Sequence, residues 1–139
     1  MSKIWKKKFT LEGLNAMCEN GLSDHLEITY VEVGDDYLIA TMPVKEFHKQ
    51  PLGLVHGGAT ATLAESVASV ASLLAAEEEK QSAVGVELNI NHLRSAKSGV
   101  LTAKCAPVKL GRNIHVWNIE IFDDEGRQIS VSRLTTMVK

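Results

Sequence analysis

One long helical segment in a chain that otherwise reads as strands limits the folds open to this sequence. From His56 to about Glu79, Leu63, Val67, Val70 and Leu74 recur at the helical period and form a candidate core stripe. Alanine and serine fill the other positions, at Ala59, Ala61, Ala64, Ser66, Ala68, Ser69, Ala71 and Ser72. Small residues on every face let a helix lie close under a sheet, so this segment is expected to be largely buried. Its last residues, Glu77-Glu78-Glu79-Lys80, read as a solvated tail. Three acids there oppose the helix dipole, which predicts fraying.

The flanking segments read as follows. Thr10 to Asn20 predicts a short helix capped by Thr10, striped by Leu11, Leu14 and Met17, and stopped at Asn20-Gly21. Ile28 to Val33 and Tyr37 to Val44 predict a hairpin around Gly34-Asp35-Asp36. In Ala83 to Leu93 the alternation predicts Val84, Val86, Leu88 and Ile90 on one face and Glu87, Asn89 and Asn91 on the other. Val100 to Val108, Ile114 to Phe122 and Gln128 to Val138 complete the strands, separated by turns at Leu110-Gly111-Arg112-Asn113 and Asp123-Asp124-Glu125-Gly126. Pro43, Pro51 and Pro107 are expected at edges or turns. A run of strands with one buried helix implies an α+β domain with an antiparallel sheet, spanning residues 1–139 as a single unit.

Composition narrows the partners. A net charge of -2 argues against non-specific nucleic-acid binding. Cys18 and Cys105 have no metal-ligand or framework spacing, and they read as free thiols in a reducing cytoplasm. The basic start, Met1 to Lys8, lacks a following apolar run, so no secretory signal is expected. The apolar run from Val67 to Ala76 is interrupted by Ser69 and Ser72 and reads as too short to span a membrane. No His, Cys or Asp cluster has metal-ligand spacing.

Chemistry concentrates at the mouth of the long helix. Gln50-Pro51-Leu52-Gly53-Leu54-Val55-His56-Gly57-Gly58 leads into it. A glycine pair there exposes backbone N–H groups at the positive end of the dipole, suited to polarising a carbonyl oxygen. Glu65 is expected to be a buried acid further along the same helix, with Ser69 on its face at i+4. His56 is a candidate for orienting a neighbour or simply capping the helix. Asn91-His92-Leu93-Arg94-Ser95-Ala96-Lys97-Ser98-Gly99 carries cations and small hydroxyls at a strand end, suited to phosphates or a polar chain but equally to a solvated turn. Gly57 and Glu65 are eight residues apart, about 12 Å along a helix axis. One chain is therefore not expected to bring both to one carbonyl; a two-fold dimer would.

This ordered series resembles the hotdog-fold thioesterases, in the branch containing 4-hydroxybenzoyl-CoA, enterobactin-proofreading and 1,4-dihydroxy-2-naphthoyl-CoA thioesterases. The matching residues are Met42-Pro43-Val44, Gln50 to Gly58, Leu63-Ala64-Glu65-Ser66 and Asn89 to Ser95, with Leu110-Gly111-Arg112, Val116 to Ile121 and Ser132 to Thr136. The chain departs from the pattern at Glu27, where relatives usually have glycine, and at Phe47-His48-Lys49. The resemblance implies a curved antiparallel sheet wrapped around one long central helix, working as a homodimer or a dimer of dimers, a homotetramer. It implies a hydrolase acting on acyl-CoA or acyl-carrier-protein thioesters. Gly57 and Gln50 would polarise the carbonyl, and Glu65 would act as general base or nucleophile. His56 and Ser69 would orient the reacting groups. His92, Arg94 and Ser95 would contact coenzyme A, which is part of the substrate, so no separate cofactor is expected. Arg112 and Arg133 are weaker candidates, and Trp117 reads as packing. A hotdog dehydratase or hydratase and a non-catalytic acyl-CoA-binding module are the competing readings.

Overall fold

The computed structural model describes residues 3–139. Helix α1 (Leu11–Met17) begins at Thr10, whose side chain accepts the Gly13 N–H at 3.0 Å. It is shorter than the pattern predicts, and Asn20 in left-handed backbone (φ 64°) turns the chain into a second short helix, α2 (Leu22–His25), that the pattern did not show. Strands β1 (Thr29–Val33) and β2 (Leu38–Pro43) form the expected hairpin. A 3-10 turn (Glu46–His48) precedes helix α3 (Gly57–Ala75). Then come β3 (Ala83–His92), β4 (Val100–Leu110), β5 (Ile114–Phe122) and β6 (Gln128–Val138). Helix α3 stops at Ala75, before the three acids, so the segment expected to fray lies outside the helix altogether.

All six strands join one antiparallel sheet in the order β1-β2-β4-β5-β6-β3, packed against α3. This is the α+β hotdog architecture that the resemblance implies. Leu38, Ala40, Met42, Leu101, Ala103, Cys105, Trp117, Ile119, Ile121 and Leu134 face inward from the sheet. They meet Leu63, Ala64, Val67, Ala68 and Ala71 of α3, all fully buried. The alanines permit the close approach; larger groups there would overpack the core at about 1–3 kcal/mol. Trp117 is buried against the Trp5 ring at 6.4 Å, a packing role as expected. Burial pushes the Cys105 thiol well above its ordinary pKa, so it is unreactive.

Two expectations need correction. Val84 and Val86 do not share the inward face of Leu88 and Ile90; they are 43% and 57% exposed. The register of β3 on β6 shifts between Gly85 and Glu87, and this bulge inverts the side-chain alternation before it. Helix α3 is also longer than its apolar run suggests: by length and composition it could cross a membrane, with a mean hydropathy of 1.3 over its best window. Half of that window is buried inside the protein, and its apolarity is that of a core helix. Pro107 sits in β4 beside a register shift, where a missing N–H is tolerated.

Candidate active site

The mouth of α3 is assembled by His56. Its backbone is extended (φ -66°, ψ 131°), and Nδ1 accepts the Gly58 N–H at 2.8 Å. Its carbonyl accepts the N–H groups of Ala59 (2.9 Å) and Thr60 (3.2 Å). The first helical N–H, that of Gly57, has no intrahelical acceptor by geometry and faces a cavity. A Cβ at Gly57 would sit 2.9 Å from Nε2 of the exposed His92 side chain, so the glycine lets the His92 ring lie against the helix mouth. Of the two roles considered for His56, the structure records the capping one; its ring bonds the helix and not Gln50.

Gln50 lies on a small hairpin. The His56 N–H donates to the His48 carbonyl at 2.7 Å and the Gln50 N–H to the Leu54 carbonyl at 2.8 Å, with Lys49 and Val55 bridged between them. The Gln50 side-chain oxygen accepts the Leu52 N–H. That bond assigns the amide and leaves its NH2 as the donor for a ligand. Gln50, Leu54, Val55, Gly57, Thr60, His92, Leu93, Arg94, Ser95 and Ile129 line one cavity of about 400 Å³. The Leu93 and Arg94 N–H groups both donate to the Ile129 carbonyl (2.8 and 3.2 Å), which anchors the exposed cationic rim to β6. Five residues proposed from sequence (Gln50, Gly57, His92, Arg94 and Ser95) thus share a single cavity.

Glu65 and Ser69 do not line it. Glu65 is exposed in the protomer, which corrects the expectation of a buried acid. Its carboxylate lies over Gly85, where an added Cβ would fall 2.5 Å from Oε1. The residue beneath it is a glycine on an edge strand, so nothing within the protomer covers it. Ser69, one turn on, is half-buried. Arg112 and Arg133 are exposed and lie outside the cavity. Among the described residues, no three His, Cys, Asp or Glu side chains stand close enough to hold a metal ion.

The cavity brings together a helix-terminal N–H, a side-chain amide donor and a cationic rim. Residues 52–130 match the family model of the thioesterase superfamily. The chain belongs to that superfamily. It is 53% identical over 135 residues to a 1,4-dihydroxy-2-naphthoyl-CoA hydrolase of Escherichia coli K12, covering 97% of this chain and 98% of that one. A solved thioesterase from Haemophilus influenzae superposes with a TM-score of 0.95 at 46% identity, covering 98% of this chain and 94% of that chain. A hypothetical thioesterase from Streptococcus pneumoniae, solved with coenzyme A, aligns with a TM-score of 0.73 at 25% identity over 81% of this chain and 85% of that chain. This thioesterase is accordingly a thioester hydrolase of the hotdog type.

One polar residue of the cavity escapes a sequence reading. Thr60 lines the cavity, is fully buried, and its hydroxyl has no partner. Helical threonines usually bond the carbonyl four residues back, as Thr62 does to Gly58 at 2.8 Å. For Thr60 that carbonyl, of His56, already accepts two N–H groups. His48, singled out in the sequence only as part of a departure from the family pattern, lies outside the cavity and is 1% exposed.

Proposed function

We propose that this chain hydrolyses aromatic acyl-CoA thioesters at a site shared by two copies. The cavity that joins Gln50 and Gly57 while leaving Glu65 outside is the observation that carries this reading. Both halves lie under the same edge strand: Gly57 against His92, and Glu65 against Gly85. Strand β3 has an unpaired edge and exposed Val84 and Val86. An antiparallel two-fold pairing of β3 with its copy brings the Gly85 end of one strand beside the His92 end of the other. Glu65 of one copy then approaches Gln50 and Gly57 of the other. A dimer of dimers would repeat the same unit.

In this arrangement the Gly57 N–H and the Gln50 amide stabilise the developing oxyanion. Glu65 either takes a proton from water as the water attacks the thioester carbon, or attacks that carbon itself; in both cases the C–S bond breaks and coenzyme A leaves as its thiolate, and in the second water then hydrolyses the mixed anhydride to free Glu65 and the acid. Ser69, one helical turn beyond Glu65, holds the water or the carboxylate in this reading. His92, Arg94 and Ser95 take the phosphates and polar arm of coenzyme A. An aromatic acyl group is favoured by the likeness to the naphthoyl-CoA hydrolase. Free Cys18 and Cys105 suit a reducing cytoplasm.

Thiol release from a panel of aroyl-CoA and alkanoyl-CoA esters tests the activity, and mixed dimers of Gln50→Ala and Glu65→Ala chains test the sharing. Rapid aroyl-CoA cleavage, absent from each variant alone but regained on mixing, is expected. Loss of water from a 3-hydroxyacyl-CoA, or tight binding without turnover, would replace this reading with a dehydratase or a binding module.

A further inference from the structure

We infer that His48 is a positioning residue of the site, tying the Gln50-bearing strand of the small hairpin to the segment between α2 and β1. This rests on the proposed role of Gln50 and adds a residue to it. The His48 ring is buried and uses both nitrogens on backbone: Nδ1 accepts the Lys45 N–H at 3.0 Å, and Nε2 lies 2.7 Å from the Leu26 carbonyl. A backbone N–H can only donate and a carbonyl can only accept, so the ring is held as the neutral Nε2–H tautomer. Its own carbonyl receives the His56 N–H at 2.7 Å, one residue before Gly57. Gln50 follows two residues later, on the next rung.

The tether joins the two places where the chain departs from the family pattern. Leu26, whose carbonyl takes the ring, precedes Glu27, which adopts left-handed backbone (φ 57°). Lys45, whose N–H the ring accepts, pairs through Nζ with Glu27 Oε1 at 2.7 Å. Backbone and side chain of Lys45 therefore hold His48 and Glu27 together. The opposite strand of the hairpin is fixed independently, by the Val55 N–H on the Ala96 carbonyl at 2.8 Å and by His56 in the helix cap. Beyond its rungs to that strand, the Gln50 side of the hairpin is hydrogen-bonded to the end of α2 through the His48 ring, with the Phe47 ring packed beside it on His25.

Removing the ring should let the Gln50 amide wander relative to the Gly57 N–H while leaving the rim that grips coenzyme A in place. In His48→Ala, kcat is expected to fall about tenfold or more with KM nearly unchanged, and the loss of the ring from the Lys45 N–H and the Leu26 carbonyl should lower the thermal midpoint as well. His48→Gln keeps an N–H for the Leu26 carbonyl and should recover much of the loss; His48→Asn keeps only an acceptor for Lys45 and should not. Hydrogen exchange supplies a readout apart from activity: residues 49–54 should exchange faster in His48→Ala, with β4, β5 and β6 unchanged. Wild-type kcat in His48→Ala, or parallel loss of kcat, KM and thermal midpoint in all three variants, overturns the inference. If the wild type cleaves no thioester but exchange still rises in residues 49–54, the hydrolase reading fails and the tether stands.

Discussion

The two ends of α3 hold similar side chains in opposite states. At the C-terminal end, Ser72, His115 and Thr136 are buried and mutually bonded: Ser72 Oγ lies 2.7 Å from His115 Nδ1 and 2.6 Å from Thr136 Oγ1. At the N-terminal end, the Thr60 hydroxyl has no partner, the Gly57 N–H faces a cavity, and the His92 ring lies exposed against the same glycine. A serine beside a histidine looks like chemistry on paper, but here the two hydroxyls and His115 Nδ1 are spent on one another. The open end is less conspicuous by residue type and has donors to spare. Unspent hydrogen-bonding capacity next to a cavity, rather than the presence of reactive residue types, marks the site.

The largest expected effects sharpen this contrast. Glu65→Gln should lower kcat by about 10²–10⁴-fold, and Gln50→Ala by about 10²–10³-fold. Neither should lower the unfolding free energy of the protomer by more than about 0.5 kcal/mol, since Glu65 is exposed and Gln50 is bonded only to its own turn. Steady-state thiol release and urea unfolding on the same preparations check both halves. A Glu65→Gln variant with wild-type kcat would remove the acid from the reaction.

Stability should respond the other way round. Ser72→Ala strands His115 Nδ1 and Thr136 Oγ1 in the core and should cost about 1–3 kcal/mol, with kcat/KM near that of the wild type. Thr60→Val removes a hydroxyl that has no partner, so it should leave the unfolding free energy unchanged or slightly higher. Equal destabilisation by the two substitutions would break the distinction between a closed and an open end.

The sequence reading reached the architecture because α3 and the last two strands carry strong periodicity; β5 and β6 fall on the residues that the alternation predicts. It missed where pattern and geometry diverge. The bulge after Gly85 inverts β3 without any change of composition, and Val84 and Val86 were placed on the wrong face for that reason. Gly57 was legible because a helix mouth must leave N–H groups free, and Gln50 from the family resemblance; the structure puts both in one cavity with His92, Arg94 and Ser95. Glu65 was expected to be buried because small residues on every face of its helix implied burial all round; its exposure over Gly85 belongs to a surface that one chain leaves uncovered. His48 and Thr60 depend on which backbone groups are already spent, which no residue pattern encodes.

The smallest effect is a pH dependence at the closed end. Burial lowers the pKa of His115 below its ordinary value, with the Gly111 carbonyl partly offsetting it. The folded state therefore binds fewer protons than the unfolded chain between the lowered pKa and about 6.5. The stability that comes from keeping this ring neutral is complete above that range and is lost as pH falls through it. His115→Asn should be less stable than the wild type at pH 8, because it disrupts the Ser72 network. The gap should narrow as the pH is taken to 5, since only the wild type carries this titrating group. Urea midpoints of both proteins across that range measure the slope. A gap that stays constant or widens toward acid would mean that His115 is protonated as readily in the folded protein as in the unfolded chain, and that the closed end of α3 is less sealed than its hydrogen bonds imply.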